Sequence, residues 1–270
     1  MSWKPEVEEI TRRRELAKQM GGPESVARHH AAGKLTARER IDKILDPNSF
    51  REIGALTGSA KYDQEGRLLE VTPANVVIAT GRISERRVVV TAEDFTVRGG
   101  SSEAANADKW IWAETLAFET RVPLVRLVDT AGGSVRLLEM MGATKLPGYR
   151  NWRYSDMLGI IPVASAALGS VAGLGAVRVI GAHFSVMVKE TSQVFAAGPP
   201  VVKPATGVDI TKEELGGYRI HARGSGVVDN EAESEEDAFR QIRQFLSYLP
   251  SNVYRLPPRI ECGDDPQRQE

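Results

Sequence analysis

The chain has 270 residues and a single cysteine, Cys262, set in a polar stretch near its end. One cysteine excludes a disulfide framework and a cysteine-based zinc site, so a free thiol in a reducing compartment and no metal centre are expected. Long apolar runs are also missing. None approaches the roughly 20 residues that a membrane helix needs, so no membrane span is expected. The opening "MSWKPEVEEITRRRELAKQM" carries charges throughout and has no apolar core, which is not the pattern of a secretory signal. Acidic residues near its start argue against a mitochondrial address, and a cytoplasmic protein is expected. Excess charge of either sign is lacking too. A formal net charge of -1 gives no general field for nucleic acid or an acidic membrane, so an anionic ligand must be met by local cations. The Walker pattern and a correctly spaced G-x-G-x-x-G are both absent, and "GLGAVR" has no matching acidic residue downstream.

Glycine is plentiful, with 25 residues, and it is clustered. "LVDTAGGS" (127–134) and "GSVAGLGA" (169–176) each follow a β-rich run and precede a predicted helix. Around them the sequence predicts a helix over 5–20, ended by "GG", and a second in "LTARERIDKILD". In the second, Thr36 is the N-cap, Glu39 completes a capping box, and Leu35, Ile41, Ile44 and Leu45 face inward. "REIGAL", "NVVIATGRI" and "RRVVVTAED" read as strands. From about residue 101 the pattern alternates: helix 103–120, strand 123–129, helix 133–142, strand "IPVASAAL", strand "FSVMV", a loop "AAGPPVVKPATG", a short helix at 211–215 and a helix at 233–247. Strands alternating with helices imply right-handed crossovers and a mainly parallel sheet, an α/β protein. Residues 1–260 are expected to form one domain and 261–270 a polar tail.

Helix N-termini carry unpaired N–H groups, and two glycine turns facing each other could grip one oxygen as negative charge develops on it. Tight helix–sheet packing would use the same glycines, and that alternative stays open. A serine-hydrolase reading would need Ser170 and His183 as nucleophile and base. No exposed serine elbow is present, and His183 reads as a packed histidine. The chemistry left is polarisation of a carbonyl by backbone donors, which suits an activated thioester.

Six stretches carry a resemblance: "GKLTARERIDKILDP" (33–47), "EDFTVRGGSS" (93–102), "PLVRLVDTAGGS" (123–134), "GSVAGLGA" (169–176), "GPPVVKPATGVDITKEELGGYRIHARGSGVVD" (198–229) and "LSYLPSN" (246–252). In this order they resemble the N-terminal half of the carboxyltransferase β subunit of biotin-dependent acyl-CoA carboxylases, of the propionyl-CoA and methylcrotonyl-CoA type. The resemblance implies a crotonase-like (ClpP/crotonase) spiral of ββα units. It implies transfer of a carboxyl group from carboxybiotin, held on a partner carrier protein, to the α or vinylogous carbon of an acyl-CoA. Gly173 and Leu174 then match a backbone oxyanion hole, Gly132 and Gly133 match a turn lining the acyl-CoA site, and Gly99, Gly100 and Ser101 match a loop near the pantetheine and adenine. Arg98 and Arg38, with Arg40, Lys34 and Lys145, are the candidate cations for the CoA phosphates, whereas Lys203 and His221 are expected to be structural.

The chain departs from the family at several places. It has "DTAGGSVR" for the usual "DSGGAR", Gly173-Leu174 for Gly-Gly, His183 for an acidic residue, Arg98 for an aromatic one, and "SGVVDN" at the end of the fifth stretch. These imply a divergent subgroup or an unusual acyl group. The resemblance also implies a C-terminal carboxyltransferase half, biotin carboxylase and biotin carrier partners, a homo- or hetero-oligomer, and no transfer by this half alone. A biotin-dependent acyl-CoA decarboxylase subunit and an inactive scaffold paralogue are the competing readings.

Overall fold

The structure is a computed structural model that describes residues 2–101, 108–134, 139–140, 142, 152–257, 263, 265, 267 and 268. The predicted helix at 133–142 and the cation Lys145 lie largely or wholly outside them, as does the first turn of the predicted helix at 103–120.

Three helices lead in: α1 (Lys4–Lys18), α2 (Pro23–Ala31) and α3 (Ala37–Ile44). α3 has the capping box read from the sequence, with Thr36 and Glu39 exchanging bonds. It buries Ile41 and Ile44 together with Leu45 at its end. α2 follows the "GG" break without any apolar periodicity to announce it.

Among the described residues the main sheet has eight strands. β1 (Arg51–Ile53), β4 (Val76–Ile83) and β5 (Arg86–Glu93) are antiparallel neighbours, and β5 continues into a parallel run of β6 (Leu124–Thr130), β7 (Val163–Ala172), β8 (Phe184–Val188) and β10 (Asn230–Ala232). β9 (Gln193–Phe195) pairs with the far end of β7. A separate hairpin, β2 (Gly58–Tyr62) with β3 (Leu68–Pro73), does not appear in the sequence reading. Every residue of β2 is exposed, so no alternation of buried and polar positions marks it.

β6 is buried along its whole length, which fits a central parallel strand covered on both faces. One face packs on α3 and α9 (Glu235–Ser247) through Ile41, Ile44, Phe239 and Ile242. The other packs on α4 (Asp108–Thr120) and α5 (Tyr154–Leu158) through Trp110, Ala117 and Met157. α6 (Leu174–Ile180) and α8 (Lys212–Gly216) follow β7 and β9. The predicted loop at 196–207 instead contains α7 (Pro199–Thr206). Its two leading prolines lack N–H groups that a first turn leaves unbonded anyway, and Gly207 closes it in the left-handed conformation.

Two charged clusters lie inside, the second reaching the surface only through Lys34. Arg126 and Arg178 pair with Glu114 and Glu93, and all four are buried. Arg40 and Lys34 pair with Asp129, and Arg40 also with Glu235. Each cluster balances two cations with two carboxylates, the condition under which buried charge is tolerated.

Candidate active site at the glycine corners

In an open parallel sheet, ligands collect beyond the carboxyl ends of the strands. β6 and β7 end side by side there, and each turns on glycine. Gly132 has φ 77° and Gly173 has φ 61°. A Cβ on Gly132 would stand 2.8 Å from the Ala172 carbonyl oxygen, so only glycine brings the two corners this close. The Gly132 N–H donates to Thr130 Oγ1 at 3.1 Å, and that hydroxyl donates to the Gly100 carbonyl at 2.7 Å. The Ala131 N–H donates to the Gly99 carbonyl at 2.9 Å. The loop at Arg98–Ser101 therefore joins the first corner, and Ser101 is buried with its carbonyl taken by Asn75 Nδ2. Gly133 lies exposed just beyond Gly132. The structure thus gathers Gly99, Gly100, Ser101, Gly132 and Gly173 into one region.

The second corner differs from the expected donor pair. The Gly173 N–H already donates to the Phe195 and Ala196 carbonyls, both at 3.1 Å. The β9 end is what occupies it, and the short-range pattern of "GSVAGLGA" carries no sign of that partner. No group among the described residues accepts from the N–H of Leu174 or Gly175, which begin α6. Gly175 brings α6 against β6, since a Cβ there would meet Thr130 Cγ2 at 2.4 Å. Among the described residues, the amides at this corner without an acceptor are therefore those of Leu174 and Gly175.

The cations divide. Arg38 is engaged inside: its Nη2 donates to Glu52 Oε1 at 2.9 Å and its Nη1 to Oε2. Arg40 is fully buried and bound to Glu235 and Asp129, which removes it from any phosphate. Lys34 holds Asp129 at 3.1 Å and lies 4.8 Å over the Phe95 ring. Arg98 is exposed, with φ 53°.

Arg98, Lys34 and Arg28 line a cleft of about 730 Å³ between the ends of α1 and α2, strand β3 and the loop at Phe95–Gly99. Glu70 is the acidic residue in its wall. Gly99 belongs both to this cleft and to the first corner, so the two adjoin. His29 also lines the cleft; burial lowers its imidazole pKa against the pull of Asp129, with Arg40 and Lys34 adding to the effect.

His183, weighed as a base and read as packed, is exposed, but both its ring nitrogens meet backbone groups. His183 Nε2 contacts the Leu158 carbonyl at 2.9 Å and its Nδ1 accepts from the Val163 N–H at 3.1 Å. His221 Nε2 meets the Val194 carbonyl at 2.7 Å, and Lys203 pairs with Asp209. Asp129, Glu235 and Gly169 escaped sequence reasoning. The one signal available was a carboxylate closing the apolar run "PLVRLVD". No group of three His, Cys, Asp or Glu among the described residues could hold a metal ion, and no described helix is long and apolar enough to cross a membrane.

Residues 28–270 match the model of the carboxyl transferase domain. The chain is 36% identical over 270 residues to the carboxyltransferase subunit of propionyl-CoA carboxylase from Haloferax mediterranei, covering 99% of this chain and 52% of that protein. It is 38% identical over 252 residues to the alpha subunit of methylmalonyl-CoA decarboxylase from Veillonella parvula, covering 93% and 49%. The transcarboxylase 12S structure with methylmalonyl-coenzyme A and methylmalonic acid bound, described as a hexamer assembly, superposes with a TM-score of 0.83 at 29% identity, over 98% of this chain and 51% of that one. The chain spans about half the length of the curated relatives it matches. The chain thus belongs to the carboxyl transferase domain family, with the crotonase-like fold of its structural neighbours.

Proposed function

We propose that the chain is the acyl-CoA-binding half of a carboxyltransferase that exchanges a carboxyl group between biotin and the carbon next to a thioester carbonyl. The observation that carries this reading is the unpartnered amide pair of Leu174 and Gly175, set beside the Gly132 corner and a cleft walled by Arg28, Lys34 and Arg98. The amides suit a thioester oxygen that gains charge as the neighbouring carbon loses its proton; each such donor is worth about 3 kcal/mol to the transition state. The cleft's cations suit the phosphates of a CoA nucleotide, and Gly99 links the two ends of the substrate. No covalent role is assigned to any described residue at the corners, and this half is proposed to orient and polarise. Carboxybiotin, delivered by a partner carrier, supplies the carboxyl group and a basic ring nitrogen. No residue of this chain is assigned to it.

A carboxylase subunit and a decarboxylase subunit resemble the chain equally well, so the exchange is proposed in either direction. The proposed partners are a second carboxyltransferase half and a biotin carrier with its carboxylase, in an oligomer. The proposed setting is the reducing cytoplasm, where a lone cysteine needs no partner. Calorimetry with propionyl-CoA on the chain assembled with its partner half tests the reading. Binding is expected in the micromolar to millimolar range, and silence at millimolar ligand would overturn it. Transfer from carboxybiotin is expected only when both halves are present; full-rate turnover by this chain alone would refute the division of labour.

A further inference from the structure

The register between β6 and β7 breaks at one residue. Val128 pairs with Ala167, but Thr130 pairs with Val171. β6 therefore advances two residues while β7 advances four, and Leu168, Gly169 and Ser170 all face the single residue Asp129. This is a bulge, a device that re-aims the chain beyond it and is common beside active sites.

The bulge is held by charge. Asp129 is fully buried and takes Lys34 Nζ at 3.1 and 3.3 Å and Arg40 Nη2 at 3.2 Å. The same Arg40 nitrogen donates to the Leu168 carbonyl inside the bulge at 2.9 Å, and the guanidinium is fixed from behind by Glu235 at 2.7 and 2.8 Å. Gly169 leaves the space that the carboxylate fills, because a Cβ there would stand 2.1 Å from Asp129 Oδ1 and 2.5 Å from Lys34 Nζ. The Asp129 main chain also seats the loop at Gly100, whose Cβ would come 2.7 Å from the Asp129 carbonyl oxygen. Both glycine corners lie immediately beyond the bulge along their strands. Without the two extra residues, Gly132 would meet a point two residues earlier on β7 than Ala172.

We propose that Asp129 is a positioning residue: its carboxylate staples the β7 bulge through Lys34 and Arg40, and thereby sets how the Gly132 and Gly173 corners stand against each other. The catalytic consequence rests on the proposed carboxyltransferase reading; the geometric one does not.

Two variants test it. Asp129→Asn keeps the shape and removes the charge, leaving Arg40 and Lys34 with Glu235 alone. Gly169→Ala keeps all four charges and forces the carboxylate out. Crystal structures of both should show the Gly132 corner displaced from Ala172 by about 1 Å or more, a shift large enough to cost on the order of a hundredfold in rate. An unmoved corner in both variants would overturn the proposal. In the assembled enzyme, turnover at saturating acyl-CoA should fall about ten- to a hundredfold; Lys34 also lines the proposed nucleotide cleft, so any loss of affinity is read separately as a rise in KM, and kcat carries the test. Turnover equal to wild type, or turnover and affinity falling together with the folded fraction, would also overturn it. So would failure of both variants to fold, which would make Asp129 a folding residue. If the wild-type assembly itself neither binds nor turns over acyl-CoA, the functional reading falls while the crystal structures still decide the staple.

Discussion

The amine of Lys109 sits where its charge is unfavourable. The residue is 9% exposed and has no hydrogen bond or ion pair among the described residues. It shares a small cavity with Arg38, Glu52 and Asp94. Burial lowers its pKa to about 8, with Glu52 opposing the shift and Arg38 adding to it. In the unfolded chain the same amine titrates near 10.4. Between those values the unfolded state holds more protons than the folded one, so stability rises with pH across about 8 to 10.4. Below pH 8 the full penalty remains, about 3 kcal/mol for a shift of this size. Lys109→Met is therefore expected to be more stable than wild type at pH 7, and the gap should shrink by pH 10. Urea unfolding of both proteins at the two pH values checks this, and a gap that widens with pH would show the sign to be wrong. Nothing in "DKWIW" announces this environment. Likewise, the sequence places Arg38 among exposed cations because it cannot show that Glu52, 14 residues on, returns on a strand to take both guanidinium nitrogens.

The capping box of α3 was legible because its chemistry spans four residues. The Thr36 N–H donates to Glu39 Oε2 at 2.7 Å, and the Glu39 N–H donates to Thr36 Oγ1 at 3.3 Å. Burial pushes the Glu39 carboxyl up, but His30 and Thr36 outweigh it and hold the pKa down to about 2. The helix it starts buries Arg40, Ile41 and Ile44, so fraying would open the core. Thr36→Ala should cost about 1 kcal/mol. The same box starts α8, a five-residue helix whose one buried residue is Gly216. Thr211→Ala should therefore cost less than half as much, and chemical denaturation that found the two costs equal would refute the argument. Elements set by distant partners were not legible in this way. The β2–β3 hairpin shows no buried face, α7 hides behind two prolines, and the β7 bulge depends on Arg40, 128 residues from the Leu168 carbonyl it holds. At the candidate site both glycine corners were visible in the sequence. Which amides stay free was not, because the Gly173 N–H is decided by β9.

The molecule as a whole is a central sheet with helices on both faces, and it closes its own core well. The parallel strands β6, β7 and β8 were readable from strand–helix alternation, whereas α2, the β2–β3 hairpin and α7 were not, and the resemblance runs along nearly the whole chain. Among the described residues, α7 stands largely outside that closure. α7 has no buried residue, although it carries Val201 and Val202, and Val208 follows it at 52% exposure. Val201 is 50% exposed. With Val202 and Pro199 only half-buried, α7 gains little stability from its own chain, since helices of this length depend on packing. On the proposed assembly, this is a surface that a second carboxyltransferase half would cover. Replacing Val201 and Val208 together with aspartate should then leave the unfolding free energy of the chain itself within about 0.5 kcal/mol of wild type, as for other exposed sites. The same change should abolish co-sedimentation with the partner half, because two carboxylates would have to be desolvated at the contact. Undiminished association would mean that α7 faces solvent in the complex and that the partner is held elsewhere.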